Sequence, residues 1–344
     1  MALKFWGTEQ ILIKMKNNLP LVSIIIPCRN EEKFIERCLS SLIKQDYPKE
    51  NLEILVVDGM SEDKTREVVK NYTKKYPFVK LLENPQKFTP FALNLGVKNS
   101  KGEIIMLAGA HAVYEKAYIS KCLKYLQEYN TDNVGGVLKT ILREDTLMAK
   151  AIALSLSHPF GAGSSYYRLG SSKPRWVDTV FGGCYKREVF EKIGFFDERL
   201  IRSQDIEFNK RLKKAGGKIL LFPDIISYYY PSANLKDFLK HNFLDGIWVT
   251  YPLKFKIKVF SSRHLIPLFF VSSLIGLILL SFFSKIFLSL FLTVIFFYLL
   301  VSSLLSLQIA KKEKDFRYLF LMPIIFASRH LGYGLGSLWG LIKP

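Results

Sequence analysis

The sequence predicts an α/β domain built on a mainly parallel sheet, followed by a C-terminal helical membrane region. Two observations carry this. Between Leu21 and Leu107, short apolar runs of strand type alternate with segments of helical periodicity, the pattern of strands joined by right-handed helical crossovers. Beyond Phe260 the composition changes: Leu265–Phe283 carries no charge, and after Ser284 and Lys285 neither does Ile286–Ala310. An uncharged apolar run of about 18 or more residues can cross a bilayer as a helix that satisfies its own backbone hydrogen bonds.

The elements follow in order. Leu21–Ile26 reads as a buried strand stopped by Pro27. Glu31–Lys44 sets Phe34, Ile35, Cys38, Leu39, Leu42 and Ile43 at helical spacing. Leu52–Val57 is a second strand ending at Asp58 and Gly59. Ser61 is the expected N-cap of the next helix, with Glu62 and Asp63 in its first turn. Val79–Leu82 is a third strand, Phe88–Asn99 a helix and Glu103–Leu107 a fourth strand. Ligands of parallel sheets bind beyond the carboxyl ends of the strands. That rule selects Pro27–Glu31, Asp58–Ser61 and Gly109–His111. Neither a GxGxxG nor a P-loop sequence follows the first strand, so dinucleotide and P-loop readings lose their main support.

At 344 residues the chain has room for two domains of about 150 residues each. Its 49 Lys and Arg against 30 Asp and Glu give a net charge of +19. Residues 264–344 supply +5 of this (7 basic, 2 acidic), and residues 1–263 supply +14 (42 basic, 28 acidic). Beside membrane helices, such a balance points to lipid phosphate and nucleotide diphosphate as partners. No nucleic-acid-binding signature is present. Cys28, Cys38, Cys122 and Cys184 are widely spaced without a CxxC pair, which suggests reduced thiols on the cytoplasmic side rather than zinc or disulfides. Residues 1–20 form an amphipathic lead-in, broken by Lys4, Glu9, Lys14 and Lys16, and so lack the apolar core of a signal peptide. It is either a surface helix or an interfacial anchor through Phe5, Trp6, Ile11 and Leu12.

Several segments carry a family likeness. After the first strand comes Pro27-Cys-Arg29-Asn-Glu31-Glu, and after the second Asp58-Gly-Met-Ser61-Glu-Asp63-Lys-Thr65. Further along stand Phe181-Gly-Gly-Cys-Tyr-Lys-Arg-Glu188, Phe195-Phe-Asp197-Glu-Arg-Leu200 and Ser203-Gln204-Asp205-Ile-Glu207-Phe-Asn-Lys-Arg211-Leu. In this order, over roughly Leu21–Pro223, they resemble the family-2 glycosyltransferases of GT-A fold. Ala110-His111-Ala-Val-Tyr114 and the tail His330-Leu-Gly-Tyr-Gly334-Leu-Gly-Ser-Leu-Trp-Gly340 resemble the membrane-attached, succinoglycan-type members.

The resemblance implies a GT-A domain over 21–235 and assigns roles. Pro27, Arg29, Glu31 and Asp58 would bind the nucleotide, Asp58 through the base or ribose. Asp205 would be the catalytic base of an inverting transfer, with Glu207 the next candidate. Asp197 and Glu198 would shape the preceding turn. Relatives usually hold a divalent metal with Asp-x-Asp; the matching triplet here is Gly109-Ala110-His111. His111 then remains as the ligand for Mn²⁺ or Mg²⁺, and the first carboxylate is missing. The glutamate that precedes the base in relatives is Gln204 here. Arg168, Arg202, Gln204 and Trp248 are candidates for the diphosphate or the acceptor, as are His158 and Arg175. Ser157–Ser165 reads either as a loop closing over the donor or as an ordinary surface loop. The Q-x-x-R-W motif of processive relatives is absent from Asn242–Trp248, against a processive synthase.

In the membrane half, Lys254, Lys256, Lys258 and Arg263 precede the first apolar run, and Lys311, Lys312, Lys314 and Arg317 follow the second. The positive-inside rule places both flanks and the catalytic domain in the cytoplasm. Residues 236–263 read as a basic, aromatic juxtamembrane belt able to hold an isoprenoid phosphate. Residues 264–344 would form helices at about 265–283, 286–310 and 319–342, the last interrupted by Pro323, Arg329 and His330 and expected to span. The functional expectation is a multi-pass cell-membrane enzyme. It would move a sugar from a nucleotide sugar, expected to be a uridine diphosphate sugar, to a polyprenyl-linked saccharide. Two alternatives stand beside it: a transferase charging the bare polyprenyl phosphate, and a non-catalytic relative that binds nucleotide or lipid.

Overall fold

A computed structural model describes residues 19–231 and 233–343. Residues 1–18 of the amphipathic lead-in lie outside the described residues. The elements run β1 (Val22–Cys28), α1 (Ile35–Ile43), β2 (Leu52–Asp58), α2 (Thr65–Lys75), β3 (Val79–Glu83), α3 (Thr89–Asn99), β4 (Ile104–Leu107), β5 (Ala112–Tyr114), α4 (Tyr118–Glu128) and β6 (Asn133–Thr140). They continue with α5 (Leu147–Leu156), α6 (Pro159–Ala162), α7 (Tyr166–Leu169), β7 (Arg175–Trp176), β8 (Phe181–Lys186), α8 (Glu188–Ile193), α9 (Gln204–Lys214) and β9 (Ile219–Tyr229). The helical end comprises α10 (Leu235–Thr250), α11 (Ile266–Leu280), α12 (Lys285–Glu313) and α13 (Arg317–Ile342).

One sheet runs through the domain in the order β3-β2-β1-β4-β8-β6-β9-β5, with β7 on β9. The first four strands are parallel, as the alternating pattern predicts. β8 then enters antiparallel to both β4 and β6, so the second half of the sheet is mixed. Ile24 and Ile26 pack with Ile35, Cys38 and Leu39 of α1 on one face, while Ile25 packs with Ala92, Leu93 and Val97 of α3 on the other. Burial on both faces is why β1 is apolar at successive positions rather than alternating.

Two local expectations change. β1 continues through Pro27 to Cys28 because pairing with β4 ends at Ile25, so the missing proline N–H forfeits no bond on that side. Ser61 does not cap α2, which starts at Thr65 without a side-chain cap. The Ser61 N–H and hydroxyl both donate to the Asp58 carboxylate, an anionic acceptor stronger than a neutral one.

Among the described residues, two helices are long and apolar enough to cross a membrane: Ser262–Leu280, which contains α11, and α12. The segment 319–342, expected as a third span, falls within α13, which runs unbroken through Pro323 and Arg329. Its N-terminal half joins a core of Ile152, Leu156, Phe238 and Ile309 through Met322, Ile325 and Phe326. Its C-terminal half lies against α10 at backbone distance. A Cβ on Gly336 would fall 2.0 Å from the Phe243 carbonyl oxygen, and one on Gly246 would fall 2.1 Å from that of Tyr333. The segment 236–263 is correspondingly α10 and the turns after it, with Phe238, Asn242 and Ile247 buried, rather than a bare surface belt.

Candidate active site

The loops after β1 and β2 are laced together by polar side chains. Asn30, in the left-handed region at φ 55°, donates its N–H to Ser61 Oγ (2.9 Å) and accepts from the Glu62 N–H (2.9 Å). The Glu31 N–H donates to Thr65 Oγ1 (2.7 Å), and the Glu32 N–H to Asp63 (3.1 Å). Met60 is also left-handed, at φ 58°. Such backbone persists where surrounding bonds over-determine it, and it clusters at ligand sites. Asp58 is fully buried. Its carboxylate holds Ser61 and faces Arg66 at 3.6 Å, and Arg66 also pairs with Glu83. Asp58 therefore fixes the floor of this loop pair. Pro27 lies next to the end of β1, paired with Val57, and Arg29 is exposed, 3.8 Å from Glu62.

Gly109-Ala110-His111 forms the turn between β4 and β5. The Gly109 N–H donates to the Tyr114 hydroxyl (2.8 Å), and the Phe181 ring lies 3.2 Å from where a Cβ at 109 would stand. His111 Nδ1 lies 3.3 Å from Glu31 Oε1, and both side chains are partly exposed. Among the described residues no group of three or more His, Cys, Asp or Glu is placed to hold a metal. The pair nevertheless fits Mn²⁺ or Mg²⁺ as a nitrogen-and-carboxylate set completed by substrate phosphates, since such cations are held by few protein groups. It does not fit an all-protein cage.

Asp205 sits in the first turn of α9, after Ser203 in the left-handed region at φ 62°. The loop before it is clamped. Asn94 exchanges hydrogen bonds with the Phe196 backbone (2.9 Å each) and donates to Glu198 (3.0 Å). Phe196 stacks on Phe208 with centroids 4.4 Å apart. Asp197 holds Arg199 at 2.7 Å, so Asp197 and Glu198 do shape the turn. Asp205 opens to solvent from a recess of protein atoms. That desolvation raises its pKa, the N–H groups of Ile206 and of Asp205 itself oppose the rise, and the charge of Asp245 adds to it. Glu207 is not equivalent: it is buried and held by Arg211 through two bonds of 2.7 and 2.9 Å. Arg211 also donates to the carbonyls of Ile193 and Phe195, so the pair braces the helix.

A cationic cluster lies beside Asp205. Arg202 Nη1 bonds Asp245 Oδ1 (2.6 Å), and His241 Nε2 approaches Asp245 Oδ2 (3.1 Å). Burial works to raise the Asp245 pKa, but His241 and Arg202 outweigh it and hold the group below its ordinary value. Arg168 lies 5.5 Å from the ring centroids of Tyr167 and Tyr229, and Tyr229 meets the His111 ring edge-on at 5.2 Å. Contacts thus run from Glu31 through His111 and Tyr229 to Arg168. Gln204 Oε1 and Arg168 Nη1 are buried without hydrogen-bond partners. Of the other candidates, His158 caps α6 by accepting from the Phe160 N–H (3.1 Å), and Arg175 stacks on Tyr166 at 4.0 Å. Trp248 is buried and meets Tyr251 edge-on at 5.5 Å. Ser157–Ser165 contains α6, docked on α13: Arg329 donates to the Gly161 carbonyl, and His330 Nε2 lies 2.8 Å from that of Phe160. Asn94, His241, Asp245 and Arg329 were not singled out as site residues by the motifs. Only Arg329 gave a signal, as a charge inside an apolar run.

The model of glycosyl transferase family 2 matches residues 23–194. The chain belongs to this family. It is 31% identical, over 94% of its length and 97% of the relative's, to a dolichyl N-acetyl-alpha-D-glucosaminyl phosphate 3-beta-D-2,3-diacetamido-2,3-dideoxy-beta-D-glucuronosyltransferase of Methanococcus voltae. It is 28% identical to a succinoglycan biosynthesis protein of Rhizobium meliloti, over 67% of this chain and 74% of that one. A solved mannosyltransferase from Pyrobaculum calidifontis, in complex with GDP-mannose and Mn²⁺, covers 99% of this chain and 95% of its own. That structure aligns with a TM-score of 0.61 at 19% identity, a likeness of fold. The α/β domain of this family-2 enzyme is therefore of GT-A type.

Proposed function

We propose that this glycosyltransferase is membrane-bound and inverting. In this reading it moves a sugar from a nucleoside diphosphate sugar, expected to be a uridine diphosphate sugar, to a polyprenyl-linked saccharide at the cytoplasmic face. The observation that carries the reading is the position of Asp205. Its carboxylate opens from the N-terminus of α9, with Asp245 and its partner Arg202 in electrostatic reach, while the Glu31–His111 pair is joined through Tyr229 to Arg168.

Asp205 takes the proton of the acceptor hydroxyl as its oxygen attacks the anomeric carbon. The bond from that carbon to the diphosphate breaks, and the electron pair leaves on the phosphate oxygen. A single displacement of this kind inverts the anomeric centre. Glu31, Arg29 and Pro27 line the nucleotide side, over the floor fixed by Asp58. Glu31 and His111 would hold a divalent cation, which when bound neutralises charge on the diphosphate. The name of the Methanococcus voltae relative, which specifies a dolichyl phosphate-linked sugar, supports a lipid-linked acceptor. The basic residues flanking α11 and α12 support cytoplasmic ends for both, with Ser284 outside.

Asp205→Asn tests the reading. It keeps shape and removes basicity, so sugar transfer by full-length protein in detergent should fall about 10²–10⁴-fold. Uridine diphosphate affinity should stay near that of the wild type. Transfer surviving within a few-fold would remove Asp205 as the base, and Glu207 could not replace it because Arg211 already holds it.

A further inference from the structure

Arg329 and Arg168 are not paired with any carboxylate among the described residues. Arg329 lies in α13, a helix otherwise rich in apolar residues. Its partners are neutral: the Gly161 carbonyl and Asn242 Oδ1, the latter at 3.2 Å. Arg168 carries a buried Nη1 with no hydrogen-bond partner. The two guanidinium groups lie within electrostatic reach of each other and of Asp245, and Asp245 is already engaged by Arg202 and His241. Three arginines thus lie within electrostatic reach of Asp245, and of these only Arg202 is bonded to it among the described residues. Holding like charges together in a partly enclosed place is costly unless an anion joins them.

The surroundings indicate which anion. His330, next to Arg329, places Nδ1 2.9 Å from the Tyr298 hydroxyl of α12. Gly334 lies against Pro267 and Val271 of α11. Arg329 therefore stands where the catalytic domain meets the two apolar helices, within electrostatic reach of Asp245. A lipid tail lying along α11 and α12 would bring its phosphate here with its sugar toward Asp205. We propose that Arg168 and Arg329 bind the phosphate of the lipid-linked acceptor, with Arg202 and His241 set around it by Asp245. This rests on the reading of the chain as a transferase to polyprenyl-linked saccharides.

The test uses full-length protein in phosphatidylcholine nanodiscs. The probes are a long-chain polyprenyl monophosphate, the matching uncharged polyprenol, inorganic phosphate and uridine diphosphate. Wild type should prefer the polyprenyl phosphate over both polyprenol and inorganic phosphate. Arg329→Gln and Arg168→Gln should each weaken it about ten-fold or more, the loss of one charge-assisted bond, with uridine diphosphate binding unchanged. Arg329→Lys, which keeps the charge, should recover much of the loss, and a melting curve of each variant verifies folding. Retained lipid phosphate binding in both Gln variants would overturn the proposal. So would lost uridine diphosphate binding in folded variants, which would assign the arginines to the donor, and so would wild-type indifference between the charged and uncharged lipids. Wild type that binds the lipid phosphate without transferring sugar would remove the proposed function and leave this site standing. Transfer without dependence on either arginine would do the reverse.

Discussion

Gly336→Ala should destabilise the protein although alanine is the better helix former. A Cβ at 336 would lie 2.0 Å from the Phe243 carbonyl oxygen and 3.1 Å from the Ile247 nitrogen, where ordinary contact begins at 3.4 Å. Both atoms are backbone of α10, so no side chain can rotate away. α13 must move by more than an ångström, or the α10 turn must distort. Overpacking of this kind costs about 1–3 kcal/mol. The Thr250 hydroxyl bond to the Ser337 carbonyl, 2.6 Å long, lies one residue along the same seam; its loss adds about 1 kcal/mol. Replacing glycine in a helix interior returns about 1 kcal/mol. The net is a loss of about 1–3 kcal/mol.

Gly276 in α11 supplies the control, because nothing lies within 4 Å of its added Cβ; Gly276→Ala should be neutral or mildly stabilising. Thermal unfolding of both variants in one detergent should separate them by several degrees, at about 2–4 °C per kcal/mol for a domain of this size class. The same shift carries Arg329 off Asn242, so acceptor use by Gly336→Ala should fall while uridine diphosphate binding holds. If Gly336→Ala melts at or above wild type, as Gly276→Ala does, the backbone contact between α10 and α13 is not made and the reasoning fails.

Three further outcomes are expected. Mn²⁺ should tighten uridine diphosphate binding in calorimetry, and His111→Ala should remove about ten-fold or more of that gain; identical affinities with and without metal in both proteins would defeat the assignment. The transfer rate should fall on acidification with a midpoint above the ordinary aspartate value of about 3.9, because a base acts only when ionised and desolvation by the surrounding protein atoms raises the Asp205 pKa; the residual rate of Asp205→Asn should lack that limb. A cysteine at Ser284 should react with an impermeant reagent in intact cells and one at Lys312 should not. The four native cysteines are buried and should stay silent, and the reverse pattern would invert the topology.

The parallel half of the sheet was legible because each of its strands is a separate apolar run, and the first three are each followed by a helix. The mixed half was not. β6 contains Gly135 and Gly136, placed where a Cβ at 136 would fall 1.9 Å from the Ile225 carbonyl oxygen, so close packing against β9 removed the β-branched signal a strand usually gives. The site divides the same way. Asp58 ends β2, His111 follows β4 and Asp205 lies in the first turn of α9, each inside a recognisable string, whereas Asn94 and Asp245 act through partners far along the chain, such as Phe196 and Arg202. Ser61 shows the limit of local rules: a good capping residue was taken by a carboxylate already in place.

The departures from the family pattern belong together physically. The resemblance implies acidic groups at the positions of Gly109 and Gln204, and this chain has neither. At 109 the Phe181 ring occupies the space a side chain would need, 3.2 Å from the Cβ position. At 204 the amide leaves an unpartnered buried oxygen, which costs less than a second carboxylate beside Asp205 and Asp245 would. Each change lowers the negative charge around a site that also holds Arg168, Arg202 and Arg329. A site arranged this way favours anionic ligands through fixed guanidinium groups, whose orientation is set before the charge develops. In the proposed reading, the missing carboxylates and the oriented arginines act in one direction: toward a phosphate-bearing donor and a phosphate-bearing acceptor on either side of Asp205.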